Sequence, residues 1–426
     1  MTNLVPIDEH SINWIFQPME AFLIGLGLYL ATLVLIWLQN RLVSPHSPFR
    51  QYLQTIVNVE LLACLSIYQF FLGGFRIFSE QPFETLSLVF LLGLYFGGLI
   101  FFKATSRGKK EYADILLIMP FAIPFLLLVF LFDLLKFFPS EDLHRIIMGE
   151  SNTFLDNVAL YSGIIIYLVI LMAILPYLIQ KIWNCKPLKN AMLEEKLSEL
   201  CKKAKFKHSG FKNWTILKHS STAAIIGVMP SCRYILFTDR LLREVPPDSV
   251  EAILAHEIGH NYHRHLLAYP FVIFGLSLLL TVVSWYFSPW LAKLLFLGNA
   301  TYPGAVWNWA FPFALFFSYA IIVMLYFRYI FGFFSRLFER QADLHVFKLG
   351  IPAQHMIQAL DHIGISTGNT HNVPNWHHYS IQQRMNFLKS AEKHPTLILK
   401  HHRKVKIFLS LYLVLLVLSI ILLIIL

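Results

Sequence analysis

The residues with the clearest chemical potential lie in the sequence AILAHEIGHNYHRH, residues 252–265. His256, Glu257 and His260 form the pattern His-Glu-x-x-His. Residues four apart share one face of a helix, so both imidazoles can bind one ion about 2 Å from each nitrogen. Glu257 lies at the edge of that face, where it can accept a proton from an attacking water without binding the metal itself. A zinc hydrolase requires this arrangement.

The motif alone leaves a second interpretation open. The histidines precede a long apolar segment, and polar side chains at a membrane interface can simply be solvated. A zinc site with two histidines needs a third protein ligand, which leaves one position for water. The choice between the two interpretations therefore depends on finding that third ligand.

A suitable carboxylate lies downstream, in the sequence SRLFERQAD. Glu339 and Asp343 have the i, i+4 spacing of one helix face. Glu339 can be the third metal ligand. Asp343 can accept a hydrogen bond from the second nitrogen of a ligating histidine and so fix its tautomer.

The elements that must position these residues are those of a membrane protein. Of 426 residues, 56% are hydrophobic and only 14% are charged, and the mean hydropathy is +0.58. A soluble protein of this length would need more surface charge. Apolar segments near the 20 residues that cross a bilayer predict eight spans, at about 19–40, 56–75, 84–102, 113–137, 158–180, 266–287, 305–327 and 405–426.

The net charge of +10 would suggest nucleic-acid binding in a soluble chain, but here its distribution indicates membrane orientation. Alternate segments between the spans contain 31 of the 35 Lys and Arg residues. By the positive-inside rule, these segments face the cytosol and the N-terminus lies outside. We therefore expect no nucleic-acid partner, and we place the metal motif on the cytosolic side. The first 18 residues contain no Lys or Arg, so we expect the first span to be retained rather than cleaved as a signal peptide.

The predicted fold class is a mainly α-helical polytopic membrane protein of about eight transmembrane helices with a cytosolic α+β, zincin-like catalytic domain. We predict five transmembrane helices in residues 1–181, followed by a metallopeptidase segment, 182–265, with a small sheet and the helix that carries the His-Glu-x-x-His motif (the motif helix). Two further transmembrane helices are expected in 266–327, a cytosolic segment with the third ligand in 328–404, and a C-terminal transmembrane helix in 405–426.

Within the metallopeptidase segment, residues 187–206 have the pattern of an amphipathic helix. We expect its apolar face to consist of Leu188, Met192, Leu193, Leu197 and Leu200. Short β-forming stretches predict strands at 214–218, 223–228 and 233–238. The motif helix is expected to begin with Asp248 as N-cap and Glu251 as its capping-box partner.

Topology links the two halves of the candidate site. Glu339 follows His260 by 79 residues that contain two predicted spans. Because two is an even number, the chain returns to the face of the membrane from which it left. The spacing and the span count therefore agree on one metal site.

These blocks together resemble the integral-membrane gluzincin metallopeptidases, namely the CaaX prenyl protease family and the related heat-shock-induced membrane protease. The resemblance covers roughly residues 190–390. It rests on YILFTDRLLREVPPDSVEAILAHEIGHNYHRH, on SRLFERQAD, and on a downstream block with His378, Ser380 and Arg384. It implies one zinc ion held by His256, His260 and Glu339, and helices arranged around a large chamber within the membrane.

The resemblance also implies roles for two downstream residues. Both His378 and Arg384 are candidates to orient substrate or to stabilise an oxyanion. His378 would be a catalytic residue beside Glu257, and Arg384 would support the site together with Asp343. A structural role, in which Arg384 pairs with an acid such as Asp343, is equally open. We expect the nearby His263 and His265 to be solvated or to support the ligands, since zinc already has its complement.

The expected function is zinc-dependent endopeptidase activity on peptides or membrane proteins, with the lipid bilayer as the other partner. It would serve either membrane-protein quality control or CaaX-type processing of C-termini. Where family members usually have Asn-Ala near the strand that pairs with substrate, this chain has SSTAAIIG, which slightly favours quality control. Residues 223–228 are an edge strand for substrate or an ordinary core strand. An inactive protease-like scaffold and a metal transporter are the alternative functions. The nearly uncharged spans disfavour the transporter.

Overall fold

The computed structural model describes residues 17–43, 50–68, 84–106, 113–136, 154–218, 220–295, 304–373 and 378–425. The chain forms two compact units. The first contains residues 1–183 and 303–312, and the second contains residues 184–302 and 313–426.

Five complete apolar helices of the first unit lie within the described residues. They are α1 (Pro18–Leu42), α2 (Arg50–Ser66), α3 (Glu84–Thr105), α4 (Ala113–Lys136) and α5 (Phe154–Ile182). Large apolar side chains from α1 to α4, among them Ile36, Leu53 and Leu61, are fully buried in a common core. Prolines 120 and 124 lie inside α4 and Pro176 inside α5, which membrane helices tolerate.

The second unit begins with a small α+β region. Its elements are β1 (Cys185–Pro187), α6 (Ala191–Lys203), β2 (Gly210–Trp214), β3 (Ala223–Ile226), β4 (Tyr234–Thr238), α7 (Asp239–Glu244) and α8 (Pro247–Tyr262). The strand order is β1-β2-β4-β3. Strands β2 and β4 are parallel, while the outer pairs are antiparallel. β3 is therefore an edge strand of the sheet.

The rest of the second unit is helical. Its elements are α9 (His265–Leu295), α10 (Gly304–Tyr326), α11 (Gly332–Asp343), α12 (His345–Lys348), α13 (Ala353–Ser366), α14 (Ile381–Lys393) and α15 (Thr396–Ile425). The first part of α10, residues 304–312, belongs to the first unit. One wider helical turn, Phe327–Phe331, connects α10 to α11. Buried apolar side chains of α6, the sheet, α13 and α14 form one core around α8, which is the motif helix.

The fold class predicted from the sequence is confirmed: the chain is a mainly helical, multi-pass membrane protein with a small sheet. Among the described residues, six helices are long and apolar enough to cross a membrane. Two shorter apolar helices, Tyr52–Ser66 and Ile115–Leu131, coincide with the second and fourth predicted spans. Residues 69–75 of the second predicted span lie outside the described residues.

The strand predicted at 214–218 was wrong, since β2 occupies Gly210–Trp214. Trp214 is paired with Thr238, the last residue of β4, and α7 begins at Asp239. A strand continued beyond Trp214 would have no parallel partner. The pattern of apolar residues could not show where β2 ends, because the neighbouring strand β4 sets that end.

Two further local predictions were wrong. Met192 is 83% exposed, whereas Leu193, Leu197 and Leu200 of α6 are buried as expected. The motif helix begins at Pro247, not after Asp248, and it has no side-chain cap. Proline suits this first position because it lacks the N–H that would remain unpaired there. Asp248 instead binds Lys196.

Candidate metal centre

The two motif histidines lie side by side on α8. Their Nε2 atoms are 3.2 Å apart, and both rings lie at an edge of the core in which α8 is buried. The surrounding helix is apolar, with Ala252, Leu254 and Ile258 buried. Packing therefore fixes the helix face that presents His256 and His260.

The third predicted ligand comes from α11. The carboxylate oxygens of Glu339 lie 3.7 Å from His256 Nε2 and 3.4 Å from His260 Nε2. One ligand atom from each of the three residues lies within 4.8 Å of the other two. Donor atoms about 2 Å from a tetrahedral zinc ion are about 3.3 Å apart. The three residues fit a divalent metal ion of this kind, and they do so with two nitrogen donors and one carboxylate.

A glycine allows α8 and α11 to approach this closely. A Cβ on Gly259 would come within 2.8 Å of His345 Cβ and 3.1 Å of Ala342 Cα. The first contact is shorter than real Cβ atoms make and the second is tighter than nine in ten of them, so a larger residue at position 259 would force a shift in its neighbours. The small residue inside the motif thus helps to set the separation between the histidines and Glu339.

Asp343 and Arg384 form the support behind His256. Asp343 is fully buried, and its Oδ1 lies 2.9 Å from His256 Nδ1. Arg384, on α14, donates two hydrogen bonds to the same carboxylate, at 2.9 and 2.7 Å. Burial disfavours the charge on Arg384, but the adjacent Asp343 and Glu339 outweigh it and raise the pKa of the guanidinium. The pair therefore stays ionised and orients the imidazole of His256.

His378 approaches the site from the turn before α14. Its Nδ1 lies 3.2 Å from Glu339 Oε2, and about a third of its side chain is exposed. Ser380, two residues later, caps α14 by accepting a hydrogen bond from the backbone N–H of Gln383. The cap fixes where the turn ends and so helps to hold His378 near Glu339.

Glu257 is half-buried and borders the same cavity as the three candidate ligands. Burial raises the pKa of its carboxyl, although the nearby His256 and His260 oppose this rise. A carboxylate whose pKa is raised toward neutrality is suited to accept and return a proton.

The cavity has a volume of about 660 Å³, which is typical of ligand sites. Its lining includes Ala223 and Ile225 of the edge strand and the apolar residues Met356, Leu360 and Ile363. The edge strand and the candidate metal ligands therefore border the same cavity.

The sequence predicted a solvated or supporting role for His265, but it did not predict the hydrogen-bond partners of this residue. His265, expected to be solvated or supporting, is only 2% exposed, and its Nδ1 lies 3.0 Å from Nδ1 of His260. The only signal in the sequence was the His-x-x-x-x-His spacing from 260 to 265. Its partner Gln341 and the next residue in the network, His402, which contacts Gln341, lie far away along the chain, and no spacing rule points to them.

Comparisons with known proteins give one family match and a similar solved structure. The model of peptidase family M48 matches residues 187–396. Among solved structures, the crystal structure of S. mikatae Ste24p is similar, with 17% sequence identity and a TM-score of 0.46. The match covers 87% of this chain and 98% of Ste24p. No curated protein matches the chain. The family match includes all the candidate ligands, Glu257 and the supporting pair, and residues 187–396 are therefore a peptidase family M48 segment of an integral-membrane chain.

Proposed function

We propose that this protein is a zinc-dependent endopeptidase that hydrolyses peptide bonds at the cytosolic face of a membrane. One observation carries the proposal: His256, His260 and Glu339 converge on one point of a cavity that also contains Glu257 and an edge strand. The cytosolic orientation is supported by the distribution of Lys and Arg.

His256, His260 and Glu339 would hold the zinc ion. When bound, zinc supplies Lewis acidity that polarises a carbonyl and makes water a better nucleophile at neutral pH. Glu257 accepts a proton from the attacking water and passes it to the departing amine, acting first as a base and then as an acid. The raised pKa of Glu257 suits both steps.

We assign different roles to the two downstream residues. His378 lies at the cavity wall beside Glu339, where it can donate to the oxyanion that develops during peptide hydrolysis. Arg384 is engaged in two hydrogen bonds with Asp343, so it positions the site rather than touching substrate. His378→Ala is expected to lower kcat while the zinc content is unchanged.

The edge strand β3 would hold the substrate. Its inner side is paired with β4, and no other strand among the described residues pairs with its outer side. Extended peptides bind such edges by adding a strand, which gives affinity through the backbone. The apolar wall of the cavity favours substrates with apolar side chains near the cleaved bond.

The direct test of the proposal is Glu257→Gln. We expect this variant to retain its zinc and to lose cleavage of a quenched peptide. Glu251→Gln is a matched control on the same helix, because Glu251 only pairs with Lys196 at 3.2 Å. Retained turnover in Glu257→Gln would remove Glu257 from the mechanism. A wild-type chain that binds zinc without cleaving any peptide would favour an inactive scaffold.

The substrate class follows from a second experiment. The membrane proteomes of cells with the wild-type chain and with Glu257→Gln are compared, and the purified protein is offered prenylated and unprenylated peptides of the same sequence. We favour quality control of membrane proteins, which predicts accumulation of misfolded membrane proteins with Glu257→Gln and equal cleavage of both peptides. Cleavage of the prenylated peptide alone would instead indicate CaaX-type processing.

A further inference from the structure

Three polar side chains form a continuous hydrogen-bonded chain behind His260. They come from three helices: His265 begins α9, Gln341 lies on α11 and His402 on α15. His265 Nδ1 is 3.0 Å from His260 Nδ1, and its Nε2 is 3.0 Å from Gln341 Oε1. The amide nitrogen of Gln341 is 2.9 Å from His402 Nδ1.

Metal binding is compatible with only one direction of donation along these hydrogen bonds. His260 faces the other ligands through Nε2, so this nitrogen must carry no hydrogen when it binds a metal. The hydrogen then lies on Nδ1, which donates to Nδ1 of His265. His265 in turn donates from Nε2 to the Gln341 carbonyl, and the Gln341 amide donates to His402. Every donor meets an acceptor.

The opposite direction excludes metal binding. If the Gln341 amide were rotated, its nitrogen would donate to His265 Nε2, and His265 would donate to His260. The hydrogen of His260 would then lie on Nε2, where the ion must bind. The orientation of the Gln341 amide and the tautomer of His260 are therefore linked through His265.

The hydrogen-bonded side chains behind His260 are held rigidly. His265 stacks on Phe338 at 4.4 Å, with ring planes 13° apart, and both His265 and Gln341 are buried. Few waters can replace a lost partner in such a place. His256 is held differently, since its Nδ1 faces the Asp343 carboxylate, whereas His260 is held through neutral groups.

We propose that His265, Gln341 and His402 are positioning residues that hold His260 in its metal-binding tautomer and thereby set the affinity of the site for zinc. This inference rests on the proposed metal site and concerns how tightly that site binds. Loss of such a supporting hydrogen bond is expected to weaken metal affinity roughly tenfold to hundredfold.

The test measures zinc affinity of the full chain in detergent by competition with a chromogenic chelator. His265→Phe keeps a ring on Phe338 but removes the acceptor. We expect its zinc affinity to fall by roughly tenfold to hundredfold and its kcat to return toward the wild-type value at saturating zinc. His401→Phe is the matched control, because His401 is also buried but contacts the carbonyl oxygen of Leu337 at 3.0 Å. Its zinc affinity is expected to be unchanged.

A pair of variants at Gln341 keeps the inference testable if His265→Phe fails to fold. Gln341→Glu retains an oxygen that accepts from His265, so its zinc affinity is expected to remain high. Gln341→Met has a similar length but no acceptor, so its affinity is expected to fall. Equal zinc affinities for Gln341→Met and the wild type would overturn the inference, as would an unchanged affinity in folded His265→Phe.

The same assay separates this inference from the proposed function. His260→Ala is included and is expected to abolish zinc binding. If His260→Ala loses zinc while the His265 and Gln341 variants do not, only the positioning chain is wrong. If the wild type itself binds no zinc, both the proposed function and the positioning role of His265, Gln341 and His402 are wrong.

Discussion

Gly259 lies directly against Ala342, and a Cβ at position 259 would be 3.1 Å from both the Cα and the carbonyl oxygen of Ala342. The helices that carry the histidines and Glu339 therefore meet where neither has a large side chain. The packing of backbone on backbone fixes the distance across the candidate metal centre.

This contact predicts that Gly259→Ala separates α8 from α11. Overpacking of a core costs typically about 1–3 kcal/mol, and the displaced Glu339 should weaken zinc binding. The measurements are thermal unfolding and zinc competition in detergent. Gly163→Ala is the control, since a Cβ at Gly163 meets nothing within 4 Å. Equal zinc affinity in Gly259→Ala and the control would contradict the prediction.

The buried pair of Asp343 and Arg384 predicts a large effect when its cation is removed. Arg384→Met leaves the Asp343 carboxylate without its two donors, and breaking a buried pair costs about 3–5 kcal/mol. Arg384→Lys should recover part of this loss, because lysine restores the charge but not the two parallel hydrogen bonds. Unfolding free energies of the two variants check the order. A lysine variant no more stable than the methionine variant would argue against a role for the charge.

The edge strand predicts sensitivity to the backbone of the substrate. Methylation of one peptide N–H that pairs with β3 removes a hydrogen bond worth about 0.5–1.5 kcal/mol. We therefore expect kcat/KM to fall by about twofold to tenfold for peptides methylated at alternate positions. Peptides methylated at the intervening positions are the control. A uniform response across all positions would count against strand addition.

His263 predicts that acid destabilises the protein. Burial, then His402 and His345, lowers the pKa of His263 to about 3 from its usual 6.5. The folded protein therefore binds this proton less readily than the unfolded chain. Stability is fully present above pH 6.5 and is lost as the pH falls from there toward 3. Melting temperatures between pH 7 and 5 should fall less steeply in His263→Gln than in the wild type. A slope unchanged by this variant would contradict the prediction.

Local spacing predicted which candidate ligands share a helix face, for a physical reason. His256 and His260 are four residues apart, as are Glu339 and Asp343, and helix geometry alone places each pair on one face. The number of apolar segments between them predicted that both pairs would lie on the same side of the membrane. The structure brings all four residues together around one point.

Residue spacing did not predict features that depend on a partner from elsewhere in the chain. β2 ends where β4 ends, and a single strand does not reveal its neighbour's length. The role of Arg384 was open in the sequence because a cation at the end of the family block suits substrate or structure equally. Its two hydrogen bonds to Asp343 favour the positioning role that we propose.

The sequence by itself determined the helical membrane class and which residues are candidate metal ligands, because hydropathy and helical periodicity act over short distances along the chain. Only the tertiary structure decided which groups surround those residues. The link from His260 to His402 passes through three helices whose meeting depends on side-chain packing. Packing is a property of surfaces brought together by folding, and no local pattern encodes it.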